Sequence, residues 1–142
     1  MSERRLRLPL LFPLVLLSAA AATRAEDRYE WLARCASGTS HVEQRSCLEE
    51  KVKESLAGLD SAQKELMVKL RRADQKSRQK HAAIAAAQAD AQGYVAYATK
   101  HCEAFASLAY GGNSQQDRRL ACHIEMNLIR AAQVGKEATS LP

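Results

Sequence analysis

The stretch KHCEAFASLAYGGNSQQDRRLACHIE, residues 100–125, sets a His-Cys pair (His101, Cys102) and a Cys-His pair (Cys122, His123) on either side of a Gly-Gly-Asn turn. Cys102 and Cys122 each lie ten residues from Gly112. In a helical hairpin that turns there, antiparallel neighbours at equal distance from the turn meet side by side, so a disulfide needs little distortion. The alternative is a zinc ion held by both pairs. Adjacent residues on a helix point about 100° apart, whereas structural zinc sites separate their ligands by two to five residues so that both reach one ion. The spacing favours the crosslink, and no metal or other cofactor is expected. By chain-entropy reasoning, closing the Cys102–Cys122 loop is worth about 3 kcal/mol.

Outward from the turn, the chain reads as all-α. The segment from Leu59 to Gln92 holds neither Gly nor Pro and is rich in Ala, Gln, Lys, Glu and Leu, all good helix formers. Val52, Leu56, Leu59, Gln63, Leu66, Leu70 and Ala73 recur in steps of three and four, an apolar stripe interrupted at Gln63. Ile84, Gln88, Ala91, Val95, Ala98, Cys102, Phe105 and Ala109 form a second stripe, with Cys102 on the buried face. One helix from Leu59 to Tyr110 would be near 78 Å long at 1.5 Å per residue, too long for a domain of this size, so a break or bend is expected at 74–80. The last helix is expected to begin near Asp117, with Leu120, Ile124, Leu128 and Ala131 on one face, and to fray near Gly135.

The earlier cysteines obey the same geometry. Ser40-His41-Val42-Glu43 has the spacing of a capping box at a helix start, which puts Cys47 two turns into that helix. Cys35 precedes Gly38 at the end of a short helix carrying Trp31 and Leu32. On one straight helix Cys35 and Cys47 would lie about 18 Å apart; a turn at Gly38-Thr39 lets them bond. The expected architecture is a small disulfide-stapled bundle of two helical hairpins, closed by Cys35–Cys47 and Cys102–Cys122.

The first 25 residues have a basic start (Arg4, Arg5, Arg7), an apolar run from Leu8 to Ala22 and small residues suited to signal peptidase, the pattern of a secretory signal peptide. Cleavage fits after Ala22 or after Ala25. An uncleaved anchor is the competing reading, but the apolar run is short of the roughly 20 residues of a spanning helix and contains Pro9 and Pro13. The expected organisation is a signal peptide at 1–25, a helical domain at 26–135 and a flexible tail at 136–142, with no stable membrane insertion after cleavage. A periplasmic or secreted location follows, where disulfides persist. Removing residues 1–25 takes four arginines and one glutamate from the 21 basic and 16 acidic residues, leaving 17 and 15, a net of about +2. A nucleic-acid partner loses its electrostatic support.

No phosphate-binding loop, nucleophile elbow, His-Glu-x-x-His or paired CxxC motif is present, and acidic residues alternate with Lys and Arg as on solvated helix surfaces. The chain does not read as an enzyme. Tyr94, Tyr97, Phe105 and Tyr110 fall at helical spacings and read as packing residues, with Tyr110 beside the turn available for recognition.

The segment from Ala91-Gln92 through Tyr94, Tyr97, Cys102, Gly111-Gly112 and Cys122 to Arg130 resembles the LprI-type lysozyme-inhibitor family, small exported bacterial domains with four cysteines. Cys35 and Cys47 are similar to that family's first cysteine pair. The resemblance spans roughly residues 31–133. Tyr94 stands where Trp is usual, Ala98-Thr99 where Arg-Asp is usual, and Asn127 where Thr is usual. Gln63 and Met67 stand where the family has Asp and Asn, with Leu66 kept.

What the resemblance implies is a protein partner, a lysozyme, bound without catalysis. The turn at 110–116, with Tyr110, Gly111, Gly112, Asn113 and Ser114, is then the candidate for insertion into an active-site cleft, because a nearby crosslink holds it. The alternative is a periplasmic helical interaction or envelope stress and assembly module with no lysozyme activity, using the basic face of Arg71, Arg72, Lys76, Arg78 and Lys80.

Overall fold

Ser40 closes its side chain onto the backbone N–H of Glu43 (3.4 Å) while the Glu43 carboxylate accepts from the Ser40 N–H at 2.7 Å. This reciprocal cap starts the longest helix where the Ser-x-x-Glu spacing puts it, and the bond from the Ser40 N–H holds the Glu43 carboxyl below its ordinary value of 4.5. The computed structural model describes residues 23–37, 40–75, 82–109 and 111–141. They form α1 (Thr23–Ala36), α2 (His41–Asp74), α3 (Ala82–Ser107) and α4 (Asn113–Ser140). The expected break falls in the interval between Asp74 and Ala82. The signal-peptide reading of 1–25 lies largely outside the described residues, and no described helix is long and apolar enough to cross a membrane.

Two disulfides tie the helices into hairpins. Cys35 in α1 is bonded to Cys47 in α2 with their Cα atoms 5.7 Å apart, and Cys102 in α3 to Cys122 in α4 at 5.5 Å. The bonded sulfurs of Cys102 and Cys122 remove the thiolates a zinc site would need, and the described residues contain no group of three or more side chains able to hold a metal.

α4 is the spine of the bundle, packing on all three other helices and most extensively on α2. Arg45 meets Asp117 and Ser55 meets Asn127, both 72 residues apart. The constant offset means that α2 and α4 run parallel and in step. α3 returns antiparallel to α4, as the Cys102–Cys122 bond and the Glu103–Arg119 and Asp90–Arg130 pairs require.

Neighbouring positions on the spine serve both hairpins. Ala121 and Ile124 join Cys35 and Leu48 in the main core, flanked by Trp31, Leu32, Val52 and Leu120. Cys122 turns instead toward α3, where the fully buried contacts are small: Ala98, Cys102 and Ala106. The first disulfide is therefore a core residue pair, and the second sits at a seam of alanines.

Several faces differ from the sequence stripes. Leu56, Val95 and Leu128 are 50%, 62% and 45% exposed, while Ser55 and Asn127, which lie off the stripes, are buried. Tyr97 is exposed rather than packed. α4 begins at Asn113, four residues before the expected start, and continues through Gly135 to Ser140 with Ala138 fully buried. Residues 136–140 are thus helix, where a flexible tail was expected: a valine and an alanine one turn apart, Val134 and Ala138, give the last turns a packing face.

Replacing either cysteine pair with serines lowers the free energy of unfolding by about 3 kcal/mol, measured by urea denaturation of oxidised protein. Asn127 donates to the Ser55 hydroxyl (3.1 Å) at a fully buried contact. Asn127→Ala leaves a hole and loses that bond, and is expected to cost about 1–3 kcal/mol in the same assay.

Candidate functional site

The turn between α3 and α4 is built by backbone first. The last turn of α3 tightens, with the Leu108 N–H donating to the Phe105 carbonyl and the Ala109 N–H to that of Ala106. Gly111 and Gly112 then take φ of 89° and 74°, in the left-handed half of backbone space where a side chain is strained. Nothing crowds either Cα, so it is conformation and not space that calls for glycine. Gly112 caps α4, its carbonyl accepting from the Gln115 N–H, and this explains why the helix starts before Asp117.

Of the turn residues named from sequence, Gly111, Gly112, Asn113 and Ser114 lie together and exposed. Tyr110 lies outside the described residues. Beneath the turn, two braces converge. On the α3 side the Cys102–Cys122 bond is backed by Arg119, whose Nε is 2.8 Å from a Glu103 carboxylate oxygen. On the α2 side Arg45 donates from Nε and from a terminal nitrogen to Asp117 Oδ1, each at 3.0 Å, and from that terminal nitrogen to the Asn113 carbonyl at 3.0 Å. His41 Nδ1 lies 3.5 Å from the other Asp117 oxygen. One arginine therefore fastens the first residue of α4 to the first turns of α2.

This clasp sits between two open clefts. One, of about 560 Å³, is lined by His41, Val42, Arg45, Ser46, Glu49 and Asn113. The other, of about 380 Å³, is lined by Leu32, His41, Gln44, Ser114, Asp117 and Arg118. The Asn113–Ser114 edge thus stands as a ridge with a cleft on each flank, and Val42, 80% exposed, is an apolar contact beside it.

His41, Arg45 and Asp117 were not singled out as site residues by sequence reasoning. The available signal was Asp117 itself: it precedes Ala121 and Ile124 at spacings of four and seven, so a carboxylate falls on the core stripe, where a charge needs a partner. Nothing in the spacing says that the partner is Arg45.

The histidines of the opening stretch take separate roles. His101 stacks on Tyr97 with ring centroids 5.6 Å apart. His123 is half-buried, and burial, with Arg119 nearby, holds its pKa below the ordinary 6.5 against a smaller opposing pull from Glu103.

Further along the bundle, positions that carried the family resemblance come together. The Arg130 guanidinium lies over the Tyr94 ring, 5.6 Å from its centroid, and pairs with Asp90. Gln63, Leu66 and Met67 of α2 face Ala91 and Arg130 across a small cavity. Of the basic face considered as an alternative, Arg71 and Arg72 are exposed at the end of α2, and Lys76, Arg78 and Lys80 lie outside the described residues.

The helices and crosslinks define a small disulfide-stapled helical protein. The family model for lysozyme inhibitor LprI matches residues 33–134, most of the chain, and the protein belongs to that family. No curated protein and no solved structure matches it.

Arg45→Met removes both bonds that Arg45 gives the buried Asp117 carboxylate, and is expected to lower stability by about 3 kcal/mol. Arg45→Met with Asp117→Leu recovers part of that loss, which a double-mutant cycle by denaturant titration measures. The sign for His123 follows from its lowered pKa. Below the ordinary 6.5 the unfolded chain takes a proton that the folded protein resists, so stability falls as pH drops through that value and is flat above it. His123→Gln flattens this part of a melting-temperature profile between pH 7.5 and about 5.

Proposed function

We propose that the protein is an exported, non-enzymatic inhibitor of a lysozyme, and that the ridge at residues 110–116 enters the enzyme's cleft. The observation that carries this reading is the double bracing of the Gly111–Ser114 turn, by the Cys102–Cys122 bond on one side and the Arg45 bonds to Asn113 and Asp117 on the other. A turn already held in one shape loses little conformational entropy on binding, which is how a short loop gains affinity. Family membership supports the class of target.

The chemistry of such a target fits a ridge rich in donors. Glycoside hydrolases work with a pair of carboxyl groups flanking the scissile bond, and Asn113, Ser114 and His41 offer neutral or weakly basic donors on one edge. With a net charge of about +2 after loss of residues 1–25, from 17 basic and 15 acidic residues, there is no acidic field to steer a basic enzyme. Association is therefore expected at an ordinary rate of about 10⁵–10⁶ M⁻¹s⁻¹ with weak dependence on salt.

The test is a lysozyme turnover assay with oxidised protein lacking residues 1–25. Dose-dependent inhibition is expected, weakened at least about tenfold by Asn113→Ala with Ser114→Ala, a loss of some 1.4 kcal/mol or more. These substitutions keep the Asn113 carbonyl that Arg45 holds. No effect at molar excess on several lysozyme types ends this reading. Inhibition lost on neutralising Arg71 and Arg72, but not on changing the ridge, moves the contact to the end of α2.

A further inference from the structure

The ridge stands at one end of the bundle, and the positive charge of the chain gathers toward the other. Residues 64–80 carry seven basic and two acidic side chains, a net of +5 with histidine neutral, while the rest of residues 26–142 hold ten and thirteen, a net of −3. At 1.5 Å per residue, Arg71 lies about 39 Å along α2 from Arg45, which holds the ridge. We propose that this end of the bundle is a docking surface for an anionic lipid bilayer, with Lys69, Arg71 and Arg72 on the headgroups and Val68 against the acyl boundary.

The basic side chains are available to such a partner. Arg71 and Arg72 are exposed and Lys69 is partly exposed. Lys64 pairs with Asp60, but no acidic side chain among the described residues pairs with Lys69, Arg71 or Arg72. The acidic residues of this end are Glu65 and Asp74 in α2 and Glu137 in α4, and α3 has none before Asp90. A basic last turn also complements the helix dipole. That role calls neither for a run that reaches Lys80 nor for an apolar side chain inside it.

The apolar part decides between a bilayer and a soluble polyanion. Val68 is 45% exposed, and its surface neighbours three and four residues away on the helix are Lys64, Glu65, Arg71 and Arg72. α3 opens with Ala82, Ala83, Ala85 and Ala86, all exposed. A basic surface with an apolar centre fits the headgroup layer, where cations meet lipid phosphates and the apolar group reaches the acyl boundary. A hydrated polyanion offers nothing to the valine. The contact lies on the bilayer and not across it, since no described helix is long and apolar enough to span one. Docked by this end, the bundle carries its ridge on the side remote from the contact. Such docking does not depend on lysozyme inhibition.

The surface is tested by sedimenting oxidised protein lacking residues 1–25 with vesicles of phosphatidylcholine containing about 30% phosphatidylglycerol, at about 50 mM salt. Binding is expected to be at least about tenfold stronger than to pure phosphatidylcholine, and to weaken at about 300 mM salt, where screening shortens the reach of the charges. Near an anionic surface each basic side chain is worth roughly fivefold, so Arg71→Gln with Arg72→Gln is expected to weaken binding at least about tenfold. Lys53→Gln with Lys100→Gln removes the same charge from exposed positions away from this end, and leaves binding within about threefold. Val68→Ser weakens vesicle binding at least about threefold and leaves binding to dextran sulfate unchanged. Equal binding to neutral vesicles, no binding to the anionic ones at low salt, or the same loss from both charge pairs overturns the proposal. Unchanged vesicle binding by the Val68→Ser protein overturns the bilayer as the partner and points to a soluble polyanion.

Discussion

A carboxylate on the core face of α4 has to be answered, and Arg45 answers it. Asp117 is buried, and the two bonds it accepts from Arg45 bring the first turns of α2 and α4 together. Because Ser55 and Asn127 meet at the same offset one helical stretch further on, the two long helices are locked parallel and in step, which makes α3 an antiparallel return. The disulfides then staple α1 and α3 to a pair whose register is already fixed. Breaking the ion pair removes more than one contact, since the same guanidinium holds the Asn113 carbonyl.

That geometry fixes the start of α4 beside the turn. A Gly-Gly hinge is by composition the most mobile kind of connection, yet here Arg45 holds the Asn113 carbonyl directly after it, and the Cys102–Cys122 bond ties the two helices nine residues before Gly111 and ten after Gly112. A covalent bond between α3 and α4 and a part-buried ion pair between α2 and α4 thus hold the helices that carry one exposed ridge. In the proposed inhibitor the ridge is the element presented, and the clefts beside His41 receive the rim of the partner.

Much of this was legible in the sequence. The capping box at Ser40, the break after Asp74 and both crosslinks follow from spacing alone, because caps, helix length and symmetry about a turn are local rules. Which residues face inward was less legible. The second stripe puts Ala98 and Cys102 inward, as they are, but α2 meets α4 through Ser55 and Asn127, polar residues that an apolar pattern passes over, and Leu56, Val95 and Leu128 lie on the outside. Likewise the Arg45 clasp joins residues 72 apart, and no local pattern encodes such a pairing; only the misplaced carboxylate of Asp117 hinted at it. The turn and the crosslink between its helices are legible in the spacing, while the Arg45 brace is not.

The most direct measurement is hydrogen exchange of the oxidised protein, free and with a lysozyme that it inhibits. Slowed exchange on binding is expected at the amides of residues 111–116 and at the start of α2 around His41 to Arg45, with the rest of α2 unchanged. Protection confined to the end of α2 around Arg71 and Arg72, with the ridge exchanging as in the free protein, would contradict the account.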